Sequence, residues 1–285
     1  MNPVFYPKSV AVIGASRKPM AVGHGIVQNL LKGGVFQTQY NRSFKGKIFL
    51  INPNADEILG IKCSKTLAEV KDDVDLAIIA VPAKFVASVV RDCVKKKVKG
   101  VIIISAGFSE IGGEGKRLQD EISNELKKAN IPLIGPNCLG VINTSAINAS
   151  FAPAMPPPGS IAFVSQSGAL ADSVIDWAIA KNYGFSKIIS VGNGANLDVS
   201  DFIEYLSEDK AIAMYIEALK DGRNFMAAAK KCKKPIVVLK AGKTEAGKSA
   251  ISSHTGSLAG SYKVYEAAFS QCGVKIAKNV EELFE

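Results

Sequence analysis

Histidine is nearly absent from this 285-residue sequence, which holds two, His24 and His254. His254 has no second His, Cys or carboxylate at ligand spacing beside it, so a histidine-rich metal centre is excluded and no metal site is expected. Cysteine is sparse as well: the five residues at 63, 93, 138, 232 and 272 form no CxxC pair. That pattern excludes a disulfide framework and suits the reduced thiols of a cytoplasmic protein. No apolar run approaches the ~18–20 residues of a membrane span, and the N-terminus MNPVFYPKSV lacks the charged-then-apolar layout of a secretory signal. Aromatic residues make up 7% of the chain and do not interleave with basic ones, so no stacking platform for nucleic acid is present. The dinucleotide fingerprint GxGxxG is missing, while GKTEAGKS at 242–249 fits the letters of GxxxxGK[ST] but is read as lysines flanking the loop around His254 and not as a nucleotide site.

What is present is apolar and glycine-rich: 47% hydrophobic residues, 25 glycines and 21% charged residues suit an α/β protein. The length allows two ordinary domains. The net charge of +9 gathers in short lysine runs, Lys95–Lys97, Lys127–Lys128 and KKCKK at 230–234. These fall where helical patterns end, so they are read as solvated helix C-termini that complement the dipole, with a polyanionic small molecule left open as their partner.

Short apolar runs alternate with helical patterns, which predicts βαβ units and doubly wound parallel sheets. Strands are expected at Ser9–Ile13, Lys47–Ile51, Leu76–Val81, Val101–Ser105 and Pro132–Ile134. Helices are expected through about Leu31, through Lys97, and from Glu114 to Lys128. Prolines 153, 156, 157 and 158 then interrupt the pattern, because proline removes a backbone donor and fixes φ. Beyond them strands are expected at Ile161–Ser165, Lys187–Val191, Ala211–Ile216 and Ile236–Lys240. The division is a Rossmann-like domain over 1–150, a linker over 151–159 and a second doubly wound, flavodoxin-like α/β domain over 160–285.

The first domain's strand ends carry unusual residues. The first opens into Gly14-Ala15-Ser16-Arg17-Lys18 and continues to Gly23 at the start of a helix, where backbone N–H groups can meet phosphate. The second strand ends in Asn52-Pro53 in place of the acidic residue that would hold a ribose, which disfavours an NAD-dependent oxidoreductase. Val81-Pro82-Ala83, then Ser105 with Ala106-Gly107-Phe108, and Gly135-Pro136-Asn137-Cys138 mark the others. In a doubly wound sheet these ends line the ligand crevice.

Gly14-Ala15-Ser16, VPA at 81–83 and GPNCLGVI at 135–142 resemble the CoA-binding domain of nucleotide-diphosphate-forming acyl-CoA synthetases. VSQSGAL at 164–170, VGNGANLDVSD at 191–201, YIEALKDGR at 215–223 and SSHTGSLAG at 252–260 continue the resemblance in order across the chain, and favour the ADP-forming acetyl-CoA type over the succinyl-CoA type. The resemblance implies that CoA lies across Gly14, Ala15, Ser16, Arg17, Lys18, Gly23, Asn52, Pro53, Val81, Pro82, Ala83, Ser105 and Asn137. It implies an acyl-phosphate end near Glu110 and Cys138, the latter a small buried residue without a thiol role. His24 is read as structural or near CoA phosphates.

In such an enzyme a phosphoryl group must travel from acyl phosphate to ADP bound elsewhere. A neutral imidazole can carry it, and the small neighbours Ser253, Thr255 and Gly256 leave room for it. His254 is therefore the expected phosphorylated nucleophile and Glu217, after the strand 211–216, the residue that orients it. Donors to the phosphoryl oxygens are expected from Ser165, Gln166, Ser167 and Gly168 at a helix start and from Gly192, Asn193 and Gly194 in a second turn. The nucleotide site is missing: ADP or ATP with Mg²⁺ would be bound by an ATP-grasp domain on a partner subunit or fused chain, giving a hetero-oligomer inactive without it. The ending EELFE, inside a helical pattern, suggests a shortened form or fragment that precedes a third domain. The alternatives are a succinyl-CoA synthetase α subunit and a non-catalytic CoA-sensing module; retention of both Glu217 and His254 argues against the latter.

Overall fold

The computed structural model describes residues 1–244 and 261–284. A first seven-stranded sheet runs β3-β4-β2-β1-β5-β6-β7, from β1 (Ser9–Ile13), β2 (Lys47–Ile51), β3 (Glu57–Ile58), β4 (Ile61–Ser64), β5 (Leu76–Ile79), β6 (Gly100–Ile103) and β7 (Leu133–Ile134). All pairings are parallel except the edge pair β3–β4. The residues of β1, β5 and β6 are all buried, as expected where helices cover both faces of a parallel sheet. The covering helices are α1 (Asn2–Phe5), α2 (Val22–Lys32), α3 (Ala83–Lys95) and α4 (Gly113–Lys128). The strand order reverses between β1 and β5, which places a switch-point crevice at their carboxyl ends.

The second sheet also has seven strands, ordered β14-β13-β12-β10-β11-β8-β9. They are β8 (Gly140–Asn143), β9 (Ile147–Ser150), β10 (Pro158–Ser165), β11 (Phe185–Ser190), β12 (Ala211–Ile216), β13 (Ile236–Lys240) and β14 (Lys275–Ala277). Its helices are α5 (Gly168–Lys181), α6 (Val199–Tyr205), α7 (Gly222–Lys231), α8 (Tyr262–Gln271) and α9 (Val280–Phe284). Among the described residues no helix is long and apolar enough to cross a membrane.

Two features depart from the sequence expectation. The hairpin β8–β9, on the first-domain side of the expected boundary, pairs antiparallel with β11 and belongs to the second sheet. Its asparagines are buried and satisfied, Asn143 Nδ2 donating to Phe5 O at 3.0 Å and Asn148 Nδ2 to Gly33 O at 2.8 Å. Those polar residues hid the strands from an apolar pattern. Pro158, expected in a linker, is instead the first residue of the central strand β10, with a register shift before Ile161. A strand's first residue and an irregular pairing are the places where a proline's missing N–H is tolerated. The lysine runs do begin in the last turns of α3, α4 and α7.

The two sheets share packing. Asn29 of α2, fully buried, donates to Ser150 O at 2.8 Å and to Ala152 O at 2.7 Å. Ile26 and Leu30 join one apolar cluster with Val141, Ile147 and Val164. The carboxyl ends of the central strands of both sheets are thereby held around one opening.

Candidate active site

That opening is a crevice of about 1170 Å³. Ala80–Pro82, Ile104–Ala106 and Asn137–Leu139 line it from the first sheet; Gln166–Ala169, Gly192, Asn193 and Glu217–Ala218 line it from the second. The expected CoA residues divide into two groups. Val81, Pro82, Ser105 and Asn137 form the wall, with Ser105 Oγ donating to Val81 O at 2.5 Å. Gly14–Lys18, Asn52 and Pro53 belong to the adjoining loops at the ends of β1 and β2, Gly23 lies in the first turn of α2, and Ala83 opens α3.

Gly14 has φ +95°, and a Cβ there would lie 2.4 Å from Ala80 O. A Cβ on Gly23 would lie 2.0 Å from Gly14 O, so α2 starts directly on the loop. Asn52 fastens the same loop from β2: its Nδ2 donates to Ala15 O at 2.7 Å while its Oδ1 accepts from Asn54 N at 2.7 Å. Arg17 reaches the same corner through Asn54 O at 3.1 Å. His24 Nδ1 lies 2.8 Å from Ser16 O, an atom that can only accept, so Nδ1 carries the proton. His24 is thus a brace of the loop, in keeping with its structural reading.

Across the crevice, Ser167 caps α5, accepting from Leu170 N at 3.2 Å, and Gly168 opens the helix on the crevice wall. Ser165, expected as a phosphate donor, is fully buried; its hydroxyl donates to Ser167 O at 2.7 Å and shapes the turn instead. Gln166, expected in the same role, clamps the end of β12: its Oε1 accepts from Glu217 N at 2.7 Å and Ala218 N at 3.1 Å, and its Nε2 donates to Ala218 O at 2.8 Å. Glu217 is thereby fixed on the crevice wall and is 9% exposed. His254 and its SSHTGSLAG neighbours lie outside the described residues.

The turn at 192–194 also departs from expectation. The N–H groups of Asn193, Gly194 and Ala195 donate to Pro136 O, Val191 O and Gly135 O at 2.9, 3.2 and 3.0 Å. A Cβ on Gly192 would lie 2.4 Å from Pro136 O. Asn193 and Ala195 thereby join the two domains while Gly194 closes the turn on itself, so the turn is a joint and not an open backbone cradle. Lys220 reinforces it through Asn193 O at 2.6 Å and Gly194 O at 2.5 Å; loss of water lowers its pKa, with Asp198 opposing.

Glu110 lies on the first-sheet wall of the crevice, where its carboxylate is pulled in both directions by its surroundings. Burial raises its pKa, but hydrogen bonds from Asn193, Gly107 and Phe108 outweigh that and hold it below the ordinary value. Cys138 is 4% exposed, its Sγ donates to Ile103 O at 3.3 Å, and burial pushes its pKa up to about 12. A thiol so protonated has no nucleophilic role, in keeping with its reading as a buried small residue. Gln119 and Lys220 were missed in the sequence: one sat in an amphipathic helix pattern and the other among charged loop residues.

Lys240 ends β13 beneath this wall, donating to Glu217 O at 2.8 Å and to Ala241 O, with its Nζ 4.5 Å from the Tyr265 ring centroid. Burial pulls its pKa down from 10.5 to about 8, with Glu217 opposing. The folded state therefore disfavours the ammonium: stability from this site is fully present above pH 10.5 and is lost as pH falls through about 8. Wild type is expected to gain stability relative to Lys240→Met as pH rises between those values. A urea-midpoint difference that stays flat over that window would remove this assignment.

A Rossmann-like domain and a flavodoxin-like domain that share one crevice at their strand ends define the class, and the comparisons with known proteins specify it. Residues 8–144 match the model of a CoA binding domain and residues 158–285 that of a succinyl-CoA ligase like flavodoxin domain. The chain is thus built of a member of the CoA binding domain family followed by a member of the succinyl-CoA ligase like flavodoxin domain family. It is 48% identical to the α subunit of acetate–CoA ligase (ADP-forming) II of Pyrococcus furiosus, over 98% of this chain and 60% of that one. It is also 48% identical to acetate–CoA ligase (ADP-forming) I of Archaeoglobus fulgidus, over 100% of this chain and 41% of that one. A solved dinucleotide-forming acetyl-coenzyme A synthetase 1 of Ca. Korarchaeum cryptofilum, in complex with phosphate and ADP, superposes with a TM-score of 0.91 at 40% identity. That match covers 99% of this chain and 60% of the other. The chain thus spans between 41% and 60% of the length of these relatives.

Proposed function

We propose that this chain supplies the CoA-binding and phosphoryl-carrying portion of an ADP-forming acyl-CoA synthetase of the acetate–CoA ligase type. The overall reaction is acyl-CoA + ADP + phosphate giving carboxylic acid + ATP + CoA. The observation that carries this reading is the single crevice: Val81, Ser105 and Asn137 of the CoA-binding domain face Ser167, Gly168 and Glu217 of the second domain. A thioester delivered from one side meets, on the other, a helix start suited to phosphate oxygens.

In the first step a phosphate oxygen attacks the thioester carbonyl, the C–S bond breaks and CoA leaves as thiolate, forming acyl phosphate. A neutral nitrogen of His254 then takes the phosphoryl group as the acyl P–O bond breaks, releasing carboxylate. ADP finally accepts it from the histidine. Glu217 orients the imidazole, and Ser167 with Gly168 receives the phosphoryl oxygens. Among the described residues no cluster of His, Cys, Asp or Glu could hold a metal ion. The sequence reading assigns ADP and Mg²⁺ to an ATP-grasp partner or fused domain, and the assembly to a hetero-oligomer. The division of labour follows the sequence reading, CoA on 1–150 and the phosphohistidine on 160–285, with β8–β9 lying on the second sheet. The 48% identity to acetate–CoA ligases favours acetate-type acids over succinate.

Glu217→Gln tests the assignment. CoA binding, measured by calorimetry on this chain, is expected to stay within about threefold while phosphoryl transfer in the assembled enzyme falls by roughly 10²-fold. An equal loss in both would place Glu217 in CoA binding instead.

A further inference from the structure

Two asparagine carboxamides in the crevice belong to a chain of hydrogen bonds that begins at an anion. Glu110 Oε1 accepts from Gly107 N at 2.6 Å and Phe108 N at 3.1 Å, and its Oε2 accepts from Asn193 Nδ2 at 2.5 Å. The same Nδ2 donates to Gln119 Oε1 at 2.9 Å, and that oxygen also accepts from Ser109 N at 3.3 Å. Both hydrogens of the Asn193 amide are thus directed toward α4 and the turn before it. Its Oδ1 is left to accept from Asn137 Nδ2 at 3.3 Å.

The polarity of this chain is forced. An ionised carboxylate only accepts hydrogen bonds, so turning the Asn193 amide over would set its oxygen against Glu110 and its NH₂ against that of Asn137. We infer that Glu110 is a positioning residue, acting through Asn193 to present the Asn137 carboxamide to the crevice in one fixed orientation. Asn137 is itself held rigidly, with φ +58° and its N–H on Ser105 O at 2.9 Å. The inference rests on the proposed acyl-CoA reading for the identity of the ligand. A thioester or acyl-phosphate oxygen only accepts, so a pre-set Asn137 N–H suits it as charge develops there, without reorganisation at the moment of reaction.

The substitution E110Q keeps shape and removes the anion. Its new NH₂ faces the Asn193 NH₂, and one amide in the chain must turn over. Combining E110Q with N193D supplies a carboxylate at the second position. That carboxylate accepts from the new carboxamide and from Asn137 together, with Gln119 turning to match. In the assembled enzyme E110Q is expected to lower kcat roughly 10- to 100-fold, with KM for CoA within about threefold; the double variant is expected to recover about tenfold over E110Q. On this chain alone, the side-chain amide NMR signals of Asn137 should shift in E110Q and return toward wild type in the double variant. A double variant no better than E110Q, or an Asn137 signal indifferent to E110Q, overturns the relay. A signal that follows Glu110 in a chain whose assembled enzyme turns over no acyl-CoA upholds the relay and removes the functional reading.

Discussion

His254→Ala, in the chain assembled with the proposed ATP-grasp partner, is expected to lower turnover by roughly 10³-fold or more while CoA affinity stays near that of wild type. The step requires a nitrogen that is neutral near pH 7 and forms a P–N bond labile enough to pass the phosphoryl group on. Imidazole, with an ordinary pKa near 6.5, meets both conditions without a large shift. The neighbouring hydroxyls of Ser253, Thr255 and Ser257 do not: they are far weaker nucleophiles at that pH without an activating base. Nor can the other histidine substitute, since His24 is buried and its Nδ1 is held at 2.8 Å from Ser16 O. Steady-state assay of acid and ATP formation reads the effect. A variant that keeps a tenth of wild-type turnover would remove His254 from the phosphoryl path.

The second large effect is expected from Gly23→Ala. The added methyl would sit 2.0 Å from Gly14 O, a backbone atom that cannot turn aside. Gly14 has no slack either, being wedged against Ala80 O in a left-handed conformation. Helix α2 must therefore move off the loop that it opens from, and that loop is the proposed seat of the CoA phosphates. Overpacking of this kind costs about 1–3 kcal/mol of stability. Distortion of the phosphate loop is expected to weaken CoA binding about tenfold, equivalent to about 1.4 kcal/mol. Gly25, two residues on in the same helix, has open space around its Cβ position. Gly25→Ala should leave CoA binding unchanged and raise stability by up to about 1 kcal/mol through helix propensity. If both variants bind CoA like wild type, the loop at 14–23 is not the CoA site.

Much of the architecture was legible because strands buried on both faces are written as short apolar runs. β1, β2, β12 and β13 begin and end where the sequence places them. The hairpin β8–β9 was not legible, since its buried Asn143 and Asn148 look like loop residues until Phe5 and Gly33 supply their partners. The two-residue strand β3 and the three-residue strand β14 are too short to show a period.

The candidate site divides in the same way. Residues that matter by position at a strand end, such as Val81, Ser105, Asn137 and Glu217, could be found from the sequence and do line one crevice. Residues that matter by partner could not. Gln166 and the 192–194 turn were read as open donors, yet their partners come from distant segments, Glu217 N for one and Pro136 O for the other. Glu110 was placed near the chemistry without a role, because Asn193, which lies 83 residues away in sequence, defines what its carboxylate does.

The central claim is that a phosphoryl group rests on His254 between the CoA crevice and a nucleotide site held elsewhere. Incubating the chain with the proposed ATP-grasp partner, Mg²⁺ and γ-labelled ATP tests it most directly. The account predicts label on this chain that is lost in acid, survives in base, maps to the peptide containing His254 and disappears on adding acetate with CoA. Equal labelling of His254→Ala, or label stable to acid, would contradict it.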